Sequence, residues 1–393
     1  MKKTFTINAP VGRRDNPCRV EVRDGRITAV ASETSVRTDY CLTAGLIDLH
    51  THGIESYSYE RPAELIAGTA CLPRYGVTGV LPTIIPDPGN PQLLDHLRAL
   101  ADALDQVTAV QVPGLHLEGP FVALGGAACK TVPGDTGLLR EMIAACRGRV
   151  AALSISPDVA GIIPVIEMCR ASSIVPFITH TRASVDETVR AIEAGARHAT
   201  HFYDVFHLPG PADSGVRPVG CVETILADAR CTADFIADGV HVHPMAIKAT
   251  LAAKGPTGII LITDSNIGAG LPAGVYDTPW GYPVRVAPGR GARAEAPGTP
   301  KHGVLAGSAL TMDEGINNLM QWLDLPEEQI WAMGSANPAQ CLAWPNKGVV
   351  APGCDADLVL WQRSDDRYQV ACTWVGGELV YRHEEVQLDA LVD

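Results

Sequence analysis

Residues 45–52, GLIDLHTH, form a short β-rich run that ends in polar residues and precedes a segment with the composition of a helix. The same succession of strand, loop and helix recurs from residue 44 to residue 265. Strands that alternate with helices of about ten or more residues indicate parallel βαβ units, and eight such units favour closure into a barrel. The eight predicted strands are GLIDLHTH (45–52), TGVLPTII (78–85), VPGLHLEGP (112–120), VAALSISP (150–157), IVPFITHTR (174–182), HATHFYD (198–204), CTADFIAD (231–238) and GIILITDS (258–265).

This pattern predicts an α/β fold, a TIM-like (β/α)8 barrel that spans residues 44–345. The alternative is an open, doubly wound sheet. That fold places a glycine-rich turn after its first strand to bind a dinucleotide, and no such turn follows residue 52 here. A Pro/Gly-rich stretch at residues 271–303 predicts a loop or hairpin excursion after the eighth strand.

The two ends of the chain are rich in strand signals instead. Asp24-Gly25 lies between two alternating runs in CRVEVRDGRITAV and predicts a hairpin turn. Neither end has enough strands for a stable sheet of its own. We therefore expect residues 1–43 and 346–393 to pair into one small β-sandwich module beside the barrel.

The bulk composition excludes several classes of protein. A formal net charge of −13 argues against a nucleic-acid surface, which needs clustered Lys and Arg. The 11 cysteines are irregularly spaced, which favours a reducing compartment over a disulfide framework. The N-terminal residues lack the apolar core of a signal peptide, and no stretch has the apolar length of a membrane span. These features predict a cytoplasmic protein that acts on a small molecule, with no nucleic-acid or membrane partner.

Polar residues stand at the carboxyl ends of five predicted strands, the position where barrels place their active sites. His50 and His52 are two residues apart on a strand, so both imidazoles point to the same face. Nitrogen and oxygen ligands suit Zn²⁺ and, with less selectivity, Fe²⁺, Co²⁺ or Mn²⁺. The full candidate set is His50, His52, Glu118, His180, His201 and Asp264.

Each of these residues also has a structural interpretation. A single buried histidine at a strand end is commonly a hydrogen-bonded core residue, and a lone HxH pair is a weak signal. The coincidence of six such residues at one predicted rim favours a metal site. His198, at the opposite end of strand six, is interpreted as structural.

Eight motifs, in order along the chain, resemble those of the amidohydrolase superfamily, and most closely those of the N-acetylglucosamine-6-phosphate deacetylases. They are LTAGLIDLHTHG, HLEGPF, the His of ITHTRA, the His of THFYDVF, DGVHVHP, LITDSNIGAG, LAGSALTMDEGINNL and APGCDADLVL. The resemblance extends from about residue 20 to residue 383. It implies a metal-dependent hydrolase of amide bonds in small N-acyl compounds, with one or two divalent ions per chain and a homodimeric assembly.

The resemblance also implies a role for each matching residue. His50 and His52 would help hold a first ion, and His180 and His201 a second. Glu118 would take the place of the carboxylated lysine that other members of the superfamily use. Asp264 would contact the metal and act as general base and then general acid, while His241 of the DGxH motif would face the substrate carbonyl.

The segments that would contact the substrate depart from the deacetylase pattern. Asp204 stands where those enzymes usually carry Asn, and a carboxylate there favours a hydroxyl or ammonium donor over a phosphate. Arg182 replaces an Asn after the fifth-strand histidine, and Arg217 lies near the phosphate-contacting Arg of the family. The predicted substrate contacts are therefore Asp204, Arg217, His241 and Arg182.

Two alternatives remain open from the sequence. The same scaffold could hydrolyse an N-acyl amino acid, a cyclic amide, an ester or a phosphorylated compound. A non-catalytic relative kept for binding is the third hypothesis. It predicts the loss of metal ligands, and none of the matched ligands is missing.

Overall fold

The computed structural model describes residues 4–13, 16–33, 39–210, 213–365, 367–386 and 392. Its largest sheet has eight strands, which are hydrogen-bonded to one another in chain order, all in parallel. The strands are β1 (Leu46–Thr51), β2 (Val77–Ile84), β3 (Leu115–Leu117), β4 (Val150–Ile155), β5 (Val175–Ile178), β6 (His198–Ala199), β7 (Thr232–Ile236) and β8 (Ile259–Ile262). All eight coincide with predicted strands.

Hydrogen bonds between the end of β8 and β1 nearly close this sheet into a barrel. The backbone N–H of Asp264 donates to the carbonyl of His50, and that of His52 donates to the carbonyl of Ser265, both over 2.8 Å. The closure holds residues from the first and last strands of the barrel side by side at its carboxyl rim. The predicted TIM-like (β/α)8 barrel is thus confirmed.

A helix follows each barrel strand and covers the outer face of the sheet. The helices after β1 to β8 are Pro62–Cys71, Leu93–Ala103, Thr136–Ala145, Ile162–Ala171, Val185–Ala194, Cys221–Ala227, Pro244–Lys254 and Met312–Trp322. Two more helices, Glu327–Met333 and Ala336–Cys341, and three 3-10 turns, Leu72–Tyr75, Leu104–Gln106 and Pro256–Gly258, complete the helical elements of the described chain.

Apolar side chains fill the inside of the barrel below the rim. Leu49, Leu81, Phe177, Ile236 and Ile260 belong to one fully buried cluster there. The barrel interior is therefore a packed core. Polar side chains meet above it, at the carboxyl rim.

Strands from both ends of the chain form a β module, as the sequence predicts. One sheet contains Thr4–Pro10, Pro17–Arg23 and Arg26–Ser32, and a second contains Tyr40–Ala44, Leu358–Ser364, Arg367–Val375 and Glu378–Arg382. The two sheets share a buried cluster that includes Ile7, Val20, Leu42, Leu360 and Trp374. We propose residues 1–43 and 346–393 as the limits of this module; within them, residues 1–3, 14–15, 34–38, 366, 387–391 and 393 lie outside the described part.

The turn between the second and third strands of the module has the backbone that the sequence predicts. Asp24 and Gly25 have φ values of 52° and 79°. Positive φ at both central residues of a two-residue turn matches the right-handed twist of the flanking strands.

The Pro/Gly-rich excursion after β8 folds into a small antiparallel sheet. Its strands are Gly274–Tyr276, Val284–Ala287 and Gly291–Ala294. Buried residues of this excursion, including Tyr282, Val284 and Ala294, pack against Ala306. Trp280 is partly buried against the same cluster and lies beside His52, with ring centroids 5.1 Å apart. A second short hairpin, Gly53–Ile54 with Tyr57–Ser58, follows β1.

None of the described helices combines the length and the apolar character needed to cross a bilayer. All 11 cysteines are free thiols.

Candidate metal centre

The six residues predicted as metal ligands meet at the carboxyl rim of the barrel. Their side chains line or lie beneath a cavity of about 550 Å³. His50 belongs to β1 and Glu118 follows β3, and both are buried. The remaining members, His52, His180, His201 and Asp264, lie just beyond the ends of β1, β5, β6 and β8 and contribute to the lining of the cavity.

The carboxylate of Glu118 is at the centre of this cluster. Its Oε1 lies 3.2 Å from Nε2 of His180 and 3.2 Å from Nε2 of His201. Its Oε2 faces the other way and lies 3.3 Å from Nε2 of His52. Oε1 also lies 3.7 Å from Nε2 of His50, so the carboxylate has ligand atoms on both sides.

A group of ligand atoms from His50, His52 and Asp264 lies between the ends of β1 and β8. Oδ1 of Asp264 lies 3.3 Å from Nε2 of His52 and 3.5 Å from Nε2 of His50, and the two imidazole nitrogens are 3.3 Å apart. Zn²⁺ with bonds of roughly 2.0–2.1 Å in a tetrahedron would separate its ligand atoms by roughly 3.3 Å. The separations among His50, His52 and Asp264 therefore fit a small divalent ion, and the contacts of Glu118 with His180 and His201, at 3.2 Å each, are of similar length.

The second nitrogen of each histidine is held by a different oxygen, which orients the ring. Nδ1 of His50 is 3.0 Å from Oγ1 of Thr200, and Nδ1 of His52 is 3.2 Å from the carbonyl of Thr83. Nδ1 of His180 lies 2.7 Å from the carbonyl of Leu124, and Oγ1 of Thr179 lies 3.3 Å from Nδ1 and 3.2 Å from Nε2 of His201. For His50, His52 and His180, contacts of this kind fix the ring and leave Nε2 for the ion, as in known metal sites.

The backbone is strained at three of the six residues. His180, His201 and Asp264 have φ values of 49°, 37° and 48°, in the left-handed region. Non-glycine residues enter this region at a cost and mainly where the surroundings determine it, as at active sites. The strain coincides with the points at which β5, β6 and β8 end and turn their polar side chains into the cavity.

Electrostatics at the centre keeps Glu118 ionised. Burial alone raises the pKa of a carboxyl group, but His50, His180, His201 and His52 hold the pKa of Glu118 well below its usual value. Burial lowers the pKa of His50. For His52, burial acts in the same direction, yet Asp264 and Glu118 raise its pKa to about 10. The cluster thus contains carboxylates paired with protons that a cation can replace.

His241, predicted to face the substrate, lines the same cavity. Its Nδ1 is 2.8 Å from Oδ2 of Asp238, and its backbone N–H donates to Oδ1 of Asp238 over 2.9 Å. Burial opposes protonation, but Asp238 raises the pKa of His241 above the usual value. With Nδ1 held by Asp238, Nε2 is the nitrogen free to meet a ligand.

The other predicted substrate contacts fall in two groups. Asp204 lines the cavity. Arg182 is exposed and does not line the cavity of this single chain. Arg217 is exposed too and forms an ion pair with Glu223 at 2.7 Å. A contact of either arginine with a substrate stays a prediction.

His198 and His116 are buried structural residues. Nε2 of His198 is 2.7 Å from Oδ2 of Asp234, and the other oxygen of Asp234 accepts the backbone N–H of His201. His116 lies between the carbonyl of Leu49 and the hydroxyl of Ser154, at 3.1 and 2.9 Å. Asp234 thereby supports His201 from below the rim.

Sequence reasoning missed several residues of the cavity. Asp238 orients His241, while Trp280 and Arg293 reach the cavity from the excursion after β8. Cys129 lies on the loop after β3, with Sγ near Glu118 and His180. Asp238 is the first residue of the DGxH motif, so the sequence could have identified it. Trp280, Arg293 and Cys129 belong to no motif that indicates a functional role.

Comparison with known proteins shows the family of the chain. A model of the amidohydrolase family matches residues 41–380. The chain belongs to the amidohydrolase family. Its membership confirms the predicted superfamily and the predicted hydrolase activity on carbon–nitrogen bonds.

Relatives of this amidohydrolase include an N-acetylglucosamine-6-phosphate deacetylase from Bacillus subtilis. The two are 32% identical over 365 residues, which cover 87% of this chain and 88% of that enzyme. An N-acetylgalactosamine-6-phosphate deacetylase from a Shewanella strain is 28% identical over 394 residues and covers 96% of the chain, with 95% of its own length matched.

A solved structure agrees with the fold along almost the whole chain. It is a variant of the N-acetyl-D-glucosamine-6-phosphate deacetylase from Mycobacterium smegmatis in complex with N-acetyl-D-glucosamine-6-phosphate. It superimposes with a TM-score of 0.83 at 26% identity and covers 96% of this amidohydrolase and 99% of its own chain.

Proposed function

We propose that this amidohydrolase removes the acetyl group from an N-acetylated amino sugar and uses one or two divalent ions, with zinc as the native metal. The observation that carries the proposal is the position of Glu118 between two groups of ligand atoms, beside a carboxylate and a histidine that line one cavity. The Bacillus and Shewanella relatives are deacetylases of N-acetylglucosamine 6-phosphate and N-acetylgalactosamine 6-phosphate.

The residues that would hold the metal are His50, His52 and Asp264, whose donor atoms form one group, together with His180 and His201, which both contact Oε1 of Glu118. When bound, a divalent ion supplies Lewis acidity, which activates water at neutral pH and polarises the amide carbonyl. The donor set of imidazole nitrogens and carboxylate oxygens fits Zn²⁺, and also Fe²⁺, Co²⁺ and Mn²⁺.

Asp264 is the proposed acid–base residue. Its carboxylate accepts a proton from the attacking water as the new carbon–oxygen bond forms, and it then gives the proton to the amine nitrogen as the carbon–nitrogen bond breaks. The products are acetate and the free amino sugar. The backbone of Asp264 is fixed for this task, because its N–H donates to the carbonyl of His50 and its carbonyl accepts the N–H of Ser308.

His241 is the proposed stabiliser of the carbonyl oxygen. The oxygen gains negative charge as water adds, and a hydrogen bond from Nε2 of His241 offsets that charge. Asp238 holds the ring by its Nδ1, so that the donor is oriented before the substrate arrives. A donor that needs no reorientation contributes most to catalysis.

The experiment that tests the proposal measures acetate or amine release from a panel of substrates by the zinc-loaded enzyme. The panel contains N-acetylglucosamine, N-acetylgalactosamine, the 6-phosphate of each, N-acetyl amino acids, a cyclic amide and an aryl ester. At least one amino sugar is expected to reach a kcat/KM of about 10⁴ M⁻¹s⁻¹, the lower end of the ordinary enzyme range. A higher kcat/KM for an N-acetyl amino acid, the cyclic amide or the ester would contradict the proposal.

A further inference from the structure

Asp204 lies in the cavity with an unsatisfied carboxylate oxygen. It contributes to the cavity lining together with His201, His241 and Asp264. Its Oδ2 is buried and accepts no hydrogen bond from any residue in the described part of the chain. Buried polar atoms without partners are uncommon in folded proteins, because the lost contact with water is not replaced. A donor on a bound ligand would satisfy this oxygen.

The loop that carries Asp204 is held in a strained conformation. Its neighbours Tyr203 and Val205 have φ values of 82° and 57°, although neither is glycine. Positive φ at a β-branched residue such as valine is rare and requires support from the surroundings. The support comes from backbone hydrogen bonds: the N–H of Asp204 donates to His201, and the N–H of Thr181 donates to Val205, over 2.9 and 3.0 Å. The loop therefore fixes the backbone position from which the Asp204 side chain reaches the cavity.

Few cationic side chains line the cavity: among the described residues of its lining, Arg293 is the one lysine or arginine. Three carboxylates belong to the same lining, and Glu118 and Asp264 are proposed metal ligands, which leaves Asp204 as the one without a proposed cation. A phosphate placed against this carboxylate would meet a like charge at close range.

We propose that Asp204 is a specificity-determining residue, which accepts a hydrogen bond from a hydroxyl group of the substrate and disfavours a phosphate at the same place. This inference rests on the proposed function and narrows it. The preferred substrate is an N-acetylated amino sugar with a free 6-hydroxyl group. The Bacillus and Shewanella relatives instead deacetylate sugars that carry a 6-phosphate. A carboxylate acceptor forms a strong, charge-assisted hydrogen bond with such a hydroxyl.

The test compares kcat/KM for N-acetylglucosamine, N-acetylgalactosamine and their 6-phosphates in the zinc-loaded wild-type enzyme and in Asp204→Asn. Asparagine keeps the size of the side chain and removes its charge. The wild type is expected to prefer the unphosphorylated sugars. In Asp204→Asn, the ratio of kcat/KM for the phosphate to that for the free sugar should rise by about tenfold or more, mainly through KM, because one like charge is gone.

Asp95→Asn is the matched control. Asp95 is 80% exposed and pairs with Arg98 on the helix after β2, away from the cavity. It carries the same change of charge, and its ratio of phosphate to free-sugar activity should equal that of the wild type.

The outcomes separate this inference from the proposed function. A wild-type preference for the 6-phosphates that Asp204→Asn leaves unchanged would overturn the role of Asp204 while the deacetylase activity stands. Absence of acetate release from all four sugars would overturn the proposed function. In that case, calorimetric binding of glucosamine and glucosamine 6-phosphate still decides the role of Asp204: tighter phosphate binding by Asp204→Asn supports it, and equal affinities in the two proteins overturn it.

Discussion

Asp264→Asn is expected to lower kcat on an N-acetylated amino sugar by about 10²- to 10⁴-fold, the usual contribution of a general acid–base residue. The asparagine amide has no lone pair basic enough to accept the proton of the attacking water. At least one ion per chain should stay bound, because Glu118, His180 and His201 remain. The measurements are steady-state acetate release and metal content by atomic emission.

Asp277→Asn serves as the control for this variant. Asp277 is exposed on the excursion after β8 and does not line the cavity. Its kcat and metal content should match the wild type. A near-normal kcat in Asp264→Asn would show that another residue moves the proton.

His180→Ala is expected to lose metal and rate together. Nε2 of His180 lies 3.2 Å from Oε1 of Glu118 and is a proposed ligand of the ion on that side. Removal of a residue that merely orients a ligand costs roughly 10- to 100-fold in affinity or activity. Loss of the ligand itself should exceed that range. The measurement is the zinc content after dialysis against a weak chelator, together with kcat/KM.

His207→Ala provides the matched comparison. His207 lines the same cavity but is outside the clustered donor groups. Its backbone N–H donates to Thr181, and alanine keeps this bond. This variant should retain its zinc. If His180→Ala retains zinc as firmly as His207→Ala, then His180 is not a ligand.

The barrel and the members of the cluster could be predicted because two simple rules apply along the whole chain. Alternating strands and helices indicated the barrel, and polar residues at the carboxyl ends of its strands must meet at one rim. His50 and Asp264 are 214 positions apart, yet closure of β8 onto β1 brings their side chains within 3.5 Å. No distance information was needed for that prediction.

Side chains on irregular segments could not be predicted in the same way. Arg293 and Trp280 reach the cavity from the excursion after β8, whose path depends on tertiary packing. Arg182 and Arg217 were predicted as substrate contacts from their sequence neighbours; both are exposed in the single chain, and their contact with a substrate stays a prediction. A motif fixes the position of a loop residue along the chain, and the packing of the loop decides where its side chain points.

The hydrogen bonds that orient the histidine rings could not be predicted for another reason. Thr200 and Thr179 hold histidine rings through their hydroxyl groups. Threonine is also favoured in strands for its β-branched shape, so its presence at a strand end carries no specific signal. The predicted homodimer and the cytoplasmic location stay predictions, since a single chain tests neither.

The central claim is that amide hydrolysis by this protein depends on divalent metal held around Glu118. The most direct measurement is acetate release from the best N-acetylated amino sugar by enzyme stripped of metal with a chelator, before and after zinc is returned, with metal content measured on each sample. Activity should disappear with the metal and return in proportion to the zinc that is bound, up to one or two ions per chain. Full activity in protein that demonstrably contains no metal would contradict the account.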